Sequence, residues 1–334
     1  MRKAKALEIF KRHLLEPTDL IPFIKAFYDP LFDGLSSSIP SLFRKGQSIQ
    51  MGEIPNRNIY ERFLKSARAA DIEFPEECML CPLCWTMKPL CDMSLEHIVP
   101  GSVGGKSVTL TCKACNNSHG HLYDSHLAGY QTTTDQLSGH GVLRSKLRMQ
   151  GSEATANVAW GNGYTNIEIL EELSNPKHVE GMRKNAESCQ IDEIAIHMKF
   201  GFAADRFKIG LLRCAYLALF KCFGYEYAKT SSAQVVRQRI CNPNDDRFRL
   251  DSIIGKICSF EGLYDEPYLV ACGQVSEHPI CLVFIRLAKE TSSHHVVFLP
   301  MGDDRNEGFF DAMEELSGVG DKQNLVIPRH LLFT

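Results

Sequence analysis

The sequence lacks a charge imbalance. Its 37 Lys and Arg stand against 40 Asp and Glu, a formal charge of -3, so no global positive field draws the chain onto a polyanion and any affinity for nucleic acid must be local. It also lacks a long hydrophobic run. The greasiest segment, Leu211–Phe220, is interrupted by Arg213 and falls far short of the roughly 20 apolar residues that span a bilayer. The first ten residues form a charged amphipathic stretch without the apolar run and small-residue cleavage site of a secretory signal, which predicts a cytoplasmic protein with no membrane partner. Repeats and low-complexity tracts are missing too, excluding solenoids, collagen, coiled coil and mucin. What is present is ordinary globular composition, 334 residues with 44% hydrophobic and 23% charged, enough for about two domains at roughly 150 residues each.

Cysteine is the exception to this plainness. There are 13, of which six crowd between Cys78 and Cys115 and seven are scattered from Cys189 to Cys281. In a reducing compartment the dense group reads as a metal site and the scattered thiols as small buried hydrophobes. Disulfides are the alternative reading of the dense group.

Periodicity predicts an α+β chain. Leu7, Phe10 and Leu14 mark a first helix stopped by Pro17, and Asn58-x-x-Glu61 has the form of a capping box before a helix carrying Ile59, Phe63 and Ala67. Pro30, Gly34, Ser36–Ser38 and Pro40 mark a loop between them. Residues 140 to 173 suggest short strands, with Arg144, Lys146 and Arg148 alternating as along one face: a solvated edge in the plain reading, a phosphate-contacting strand in the sharper one. Asn175-Pro176 opens a helix to about Ser188. Ile194, Ile196, Met198 and Phe200 alternate as in a half-buried strand, and Phe202–Tyr227 carries the broad apolar stripe of a buried central helix. Strands follow over Ile253–Phe260, Tyr268–Cys272, Ile280–Leu287 and Val296–Leu299, then a helix over Phe309–Leu316.

The chemistry is concentrated in one place. Cys81-Pro-Leu-Cys84 and Cys112-Lys-Ala-Cys115 are two CxxC knuckles with 27 residues between them, the four-thiolate set that closed structural zinc sites use. Cys78-Met-Leu-Cys81 is a competing first pair; the proline within Cys81–Cys84 favours the latter, leaving Cys78 and Cys91 as non-ligands. Between the knuckles lie Glu96-His97-Ile98-Val99-Pro100 and Gly104-Gly105, and Asn116 directly follows the last cysteine. In order and spacing this segment, about residues 78 to 128, resembles the HNH endonucleases, the ββα-metal or His-Me finger class.

The resemblance implies a small zinc-stabilised ββα-metal nuclease unit at 76–130, embedded between a helical N-terminal region (1–75) and a mixed α+β region (131–334) for target recognition or regulation. It implies hydrolysis of phosphodiester bonds in DNA. That reaction needs a base for water and a cation to offset charge on the phosphate and leaving oxygen. Histidine, with an ordinary pKa near ~6.5, can serve as a neutral base at cellular pH, which assigns His97. Carboxylate and amide oxygens suit Mg2+ or Mn2+, which assigns Glu96 and Asn116. His119 and His121 are further candidates for the same ion, or polar surface residues, and Gly120 is a candidate interruption of their helix. Where many members of the class carry an asparagine that orients the base, this chain has Ser107, with Thr109 nearby. The expected partner is duplex DNA, with RNA as the alternative substrate and a homodimer expected for double-strand cutting. The competing class of function is a noncatalytic zinc-finger module that binds nucleic acid or protein.

Overall fold

The computed structural model describes residues 57–161, 164–188, 193–245, 248–257, 266–275, 278–302, 308–317 and 332–333. The expected helix around Leu7–Leu14 and the Pro30–Pro40 loop lie outside them.

Helix α1 (Arg57–Ala69) is described from one residue before Asn58, so Asn58 lies in its first turn and not ahead of it as the expected capping box would have it. Its apolar face is as expected: Phe63 and Ala67 are buried, and Phe63 stacks on Phe220 with ring centroids 4.4 Å apart. A short hairpin, β1 (Cys78–Leu80) and β2 (Met87–Pro89), then encloses the first knuckle.

The next antiparallel pair is β3 (Met93–His97) with β4 (Val108–Cys112), in a register that opposes Glu96 to Thr109 and His97 to Val108. The loop joining them folds back on Pro100, whose carbonyl accepts from Gly105 N at 3.1 Å. Gly104 sits at φ +89°, and a β-carbon on Gly105 would lie 1.6 Å from the Val99 carbonyl oxygen; the glycine pair is a steric requirement of this turn. Helix α2 (Lys113–His119) starts directly after β4, completing a ββα unit. The α-helix ends at His119; Gly120, the expected interruption, keeps helical angles, φ -55° and ψ -45°, but the hydrogen bonding changes there. A π turn (Gly120–Asp124) carries the chain into α3 (Ser125–Leu137).

Strands β5 (Leu143–Met149), β6 (Ser152–Gly161), β7 (Tyr164–Ile169) and β8 (Ile194–Met198) form an antiparallel sheet in the order β7-β6-β5-β8, against which α4 (Pro176–Glu187) packs through Met182. Asn175 caps α4 by accepting from Lys177 N at 3.0 Å. On β5, Leu143, Leu147 and Met149 are buried while Arg144, Lys146 and Arg148 are exposed, with Arg148 paired to Glu153 at 2.7 Å.

Helix α5 (Ala204–Ala228) is buried along nearly its whole length, with a kink at Gly224, and α6 (Ser231–Cys241) returns along it. After α7 (Leu250–Ile253) come β9 (Ile254–Ile257), β10 (Tyr268–Val275), β11 (His278–Ala288), β12 (Ser292–Pro300), α8 (Phe309–Ser317) and β13 (Leu332–Phe333). These strands make an antiparallel sheet ordered β13-β10-β11-β12-β9. The expected strand at Ile253 begins one residue later because Ile253 closes α7.

One hydrophobic core runs from Phe63 on α1 through the ββα unit and α5 to Met313 on α8. Tyrosines of the later region reach into the first knuckle. Tyr216 Oη donates to the Pro82 carbonyl at 2.7 Å, Tyr225 Oη donates to Leu80, and the Arg237 guanidinium lies 4.1 Å from the Trp85 ring. Among the described residues no helix is long and apolar enough to cross a membrane.

Candidate active site

The two knuckles meet. Ligand atoms of Cys81, Cys84, Cys112 and Cys115 all lie within 4.8 Å of one another, and Cys78 and Cys91 are outside the group. All four are free thiols. Backbone N–H groups point at the sulfurs, from Cys112 to Cys81 Sγ and from Cys115 to Cys112 Sγ, each at 3.4 Å; the second bond also caps α2 at its start. Thiol-to-thiol hydrogen bonding, chiefly with Cys115 for Cys81 and with Cys81 for Cys84, together with burial pushes both up to about 12. A cation removes that mutual repulsion, and four soft sulfurs suit zinc, so the residues fit a structural Zn2+.

That centre fixes where α2 starts, and α2 is joined to β3. Asn116, one turn past Cys112, donates from Nδ2 to Ser94 Oγ at 3.0 Å and to the Leu95 carbonyl at 2.9 Å. Both acceptors precede Glu96 on β3. The amide oxygen Oδ1 has no hydrogen-bond partner among the described residues.

Consecutive strand residues face opposite ways, and Glu96 and His97 differ accordingly. His97 is the last residue of β3 and is exposed, its ring lying over Gly101, where a β-carbon would be 3.7 Å from Nε2. Glu96 is only 2% exposed. It accepts from Thr111 Oγ1 at 2.9 Å through Oε2 and pairs through Oε1 with Arg213 Nη1. Neither hydroxyl expected to hold His97 bonds to it: the Ser107 hydroxyl accepts from Lys221 Nζ, and Thr109 Oγ1 is buried without a partner.

Two residues that the motif did not indicate join Glu96 in a network of ion pairs. Arg213, from the middle of α5, is 0% exposed, and its other terminal nitrogen pairs with Asp124 Oδ1 at 2.5 Å. Burial pushes the Asp124 carboxyl up to about 6 against the pull of Arg213, with Glu96 adding to the rise and His97 opposing it. The two carboxylates in turn raise Arg213 above its already high ordinary value despite its burial. The signal for Arg213 was its position as the one charge inside the greasiest segment; Asp124 gave none.

The two histidines of the helical stretch separate. His119 is buried against Tyr123, ring centroids 5.4 Å apart. Burial, then the charge of Arg213, lowers it to about 4, so its ring is neutral, and its Nδ1 is enclosed without a partner. His121 is exposed. The carboxylate and amide oxygens of Glu96, Asp124 and Asn116 are of the kind that hard divalent ions take. His119 is not grouped with these carboxylates: among the described residues the one group of three or more His, Cys, Asp and Glu ligand atoms within 4.8 Å of one another is the four-cysteine cluster.

Comparison with known proteins agrees with this geometry at the level of the domain. No curated protein and no solved structure matches the chain. Residues 81–129, from the first knuckle through the ββα unit to the start of α3, match the family model described as HNH endonuclease, and this segment therefore carries an HNH endonuclease domain with its four cysteines clustered as a metal site.

Proposed function

We propose that the protein is a metal-dependent endonuclease that hydrolyses phosphodiester bonds in duplex DNA, with His97 as general base and Glu96 and Asn116 holding Mg2+ or Mn2+. The observation that carries this reading is an exposed imidazole at the end of β3, next to a buried carboxylate and tied through Asn116 to a helix that starts at the four-thiol cluster.

When bound, the divalent ion offsets charge on the phosphate and on the leaving 3′ oxygen. His97 takes a proton from water on an unprotonated ring nitrogen, and the oxygen so activated bonds to phosphorus as the bond to the 3′ oxygen breaks. That oxygen leaves with a proton from solvent. Asn116 keeps β3 in register with α2, so the base and the carboxylate approach the substrate as one rigid unit. Residues 131–334 supply target recognition, the exposed Arg144 and Lys146 being candidate phosphate contacts. Cutting both strands requires two such units, which a homodimer would provide.

The bonds from Thr111 and Arg213 to Glu96 favour one other reading, a noncatalytic zinc module in which Glu96 is structural. Supercoiled plasmid, single-stranded DNA and structured RNA, each incubated with the full chain and Mg2+, separate the possibilities. The endonuclease reading expects plasmid nicking that EDTA abolishes. Products from RNA alone would replace the substrate, whereas salt-dependent retention of nucleic acid with no product would establish the binding module.

A further inference from the structure

Arg213 carries more acid than its own neutralisation needs. Its neighbours Leu211, Leu212, Cys214 and Ala215 are fully buried, and a lone ion there would cost several kcal/mol in desolvation. One carboxylate would balance it. The structure supplies two, Glu96 from β3 and Asp124 from the π turn, on separate nitrogens of one guanidinium. With all three ionised the trio carries net negative charge, beside an exposed base.

Two donor atoms of this neighbourhood are left over. Asp124 Oδ2 has no hydrogen-bond partner among the described residues and lies 3.9 Å from where a β-carbon on Gly120 would stand. Asn116 Oδ1 is likewise unpaired among the described residues, the amide bonding only through Nδ2. A carboxylate oxygen and an amide oxygen are ligand types that a hard divalent cation takes. The π turn sets the direction of Asp124, since a wider turn rotates everything after it, and such turns are frequent at functional sites.

We propose that Asp124 is a second carboxylate ligand of the catalytic cation, and that Arg213, which lies outside the matched HNH segment, is the positioning residue that holds Asp124 and Glu96 together. This rests on the endonuclease reading. The planar fork fixes two oxygens at once, which the single ammonium of lysine cannot do.

The test is Mn2+ binding to the zinc-loaded full chain without nucleic acid, followed by the paramagnetic resonance of free Mn2+, with plasmid nicking measured in parallel. Asp124→Asn weakens Mn2+ binding at least tenfold while zinc content and circular dichroism stay as in wild type. For Arg213 the affinity order is wild type, then Arg213→Lys, then Arg213→Met, with losses of about 10–100-fold, the range for residues that orient metal ligands. A purely structural Arg213 would lower the melting temperature of these variants yet leave the affinity of the folded protein unmoved. Unchanged Mn2+ affinity in Asp124→Asn, with wild type binding and nicking, overturns this inference alone. Loss of affinity in Asp124→Asn with a wild type that cleaves nothing upholds the ligand and removes the nuclease. A wild type that takes up no Mn2+ overturns both.

Discussion

Gly105 shows at single-residue scale how the motif is built. A β-carbon there would meet the Val99 carbonyl oxygen at 1.6 Å, so Gly105→Ala must displace the loop that follows His97. We expect it to cost about 1–3 kcal/mol, as overpacking does, read from the midpoint of urea unfolding, and to reduce nicking. His295 makes a different prediction. Buried on β12 against Tyr130 and Phe207, it is lowered to about 3 by burial, then by Lys256 and His294. The unfolded chain takes up its proton near the ordinary value of ~6.5 while the native ring stays neutral, so stability is present above that pH and is lost as pH falls toward 3. Between pH 7 and 5 this contributes a loss of about 2 kcal/mol, which His295→Phe should abolish in urea titrations at the two pH values. The cysteine cluster was legible because its signal is local spacing. Arg213 was legible only as an anomaly, since its partners Glu96 and Asp124 are 117 and 89 residues away in sequence and nothing in a linear pattern pairs them.

Secondary-structure elements divide the same way. The alternation on β5, the cap at Asn175 and the apolar stripe of α5 each follow a local period or a local hydrogen bond, and each appears where the sequence placed it. The Asn58 cap is offset by one residue, since the helix already includes Arg57 and an Asn-x-x-Glu pattern reads the same at the cap and within the first turn. Gly120 does mark the end of the α2 hydrogen-bond pattern, but as the start of a π turn and not as a loop, since glycine permits a break without requiring one. The kink in α5 had no sequence signature beyond Gly224 itself. That residue lies at φ 61° and ψ -142°, a region nearly restricted to glycine, and a β-carbon would stand 1.9 Å from Ser66 Oγ, the atom that accepts from Tyr225 N at 2.8 Å. Gly224→Ala should therefore destabilise by roughly 2 kcal/mol or more, lowering the melting temperature and loosening α1 from α5.

The whole molecule joins the cysteine knuckles to the later region through shared core and through tyrosines that donate to Leu80, Pro82 and Ile240. Loss of the metal should then be felt beyond the ββα unit. Cys84→Ser is expected to lose one equivalent of zinc and to lower the single melting transition of the chain, measured by calorimetry with metal analysis; two separate transitions would show the unit to be independent. None of this coupling could be read from the sequence, where the motif resembles a self-contained insert. The central claim, that this scaffold presents His97 to a scissile phosphate, is tested most directly by the initial rate of supercoiled plasmid nicking in Mg2+ by wild type and His97→Ala protein, both carrying one zinc. A fall of about 100-fold or more, in the range of general-base loss, with an unchanged melting temperature is the predicted result; equal rates from the two proteins would contradict the account.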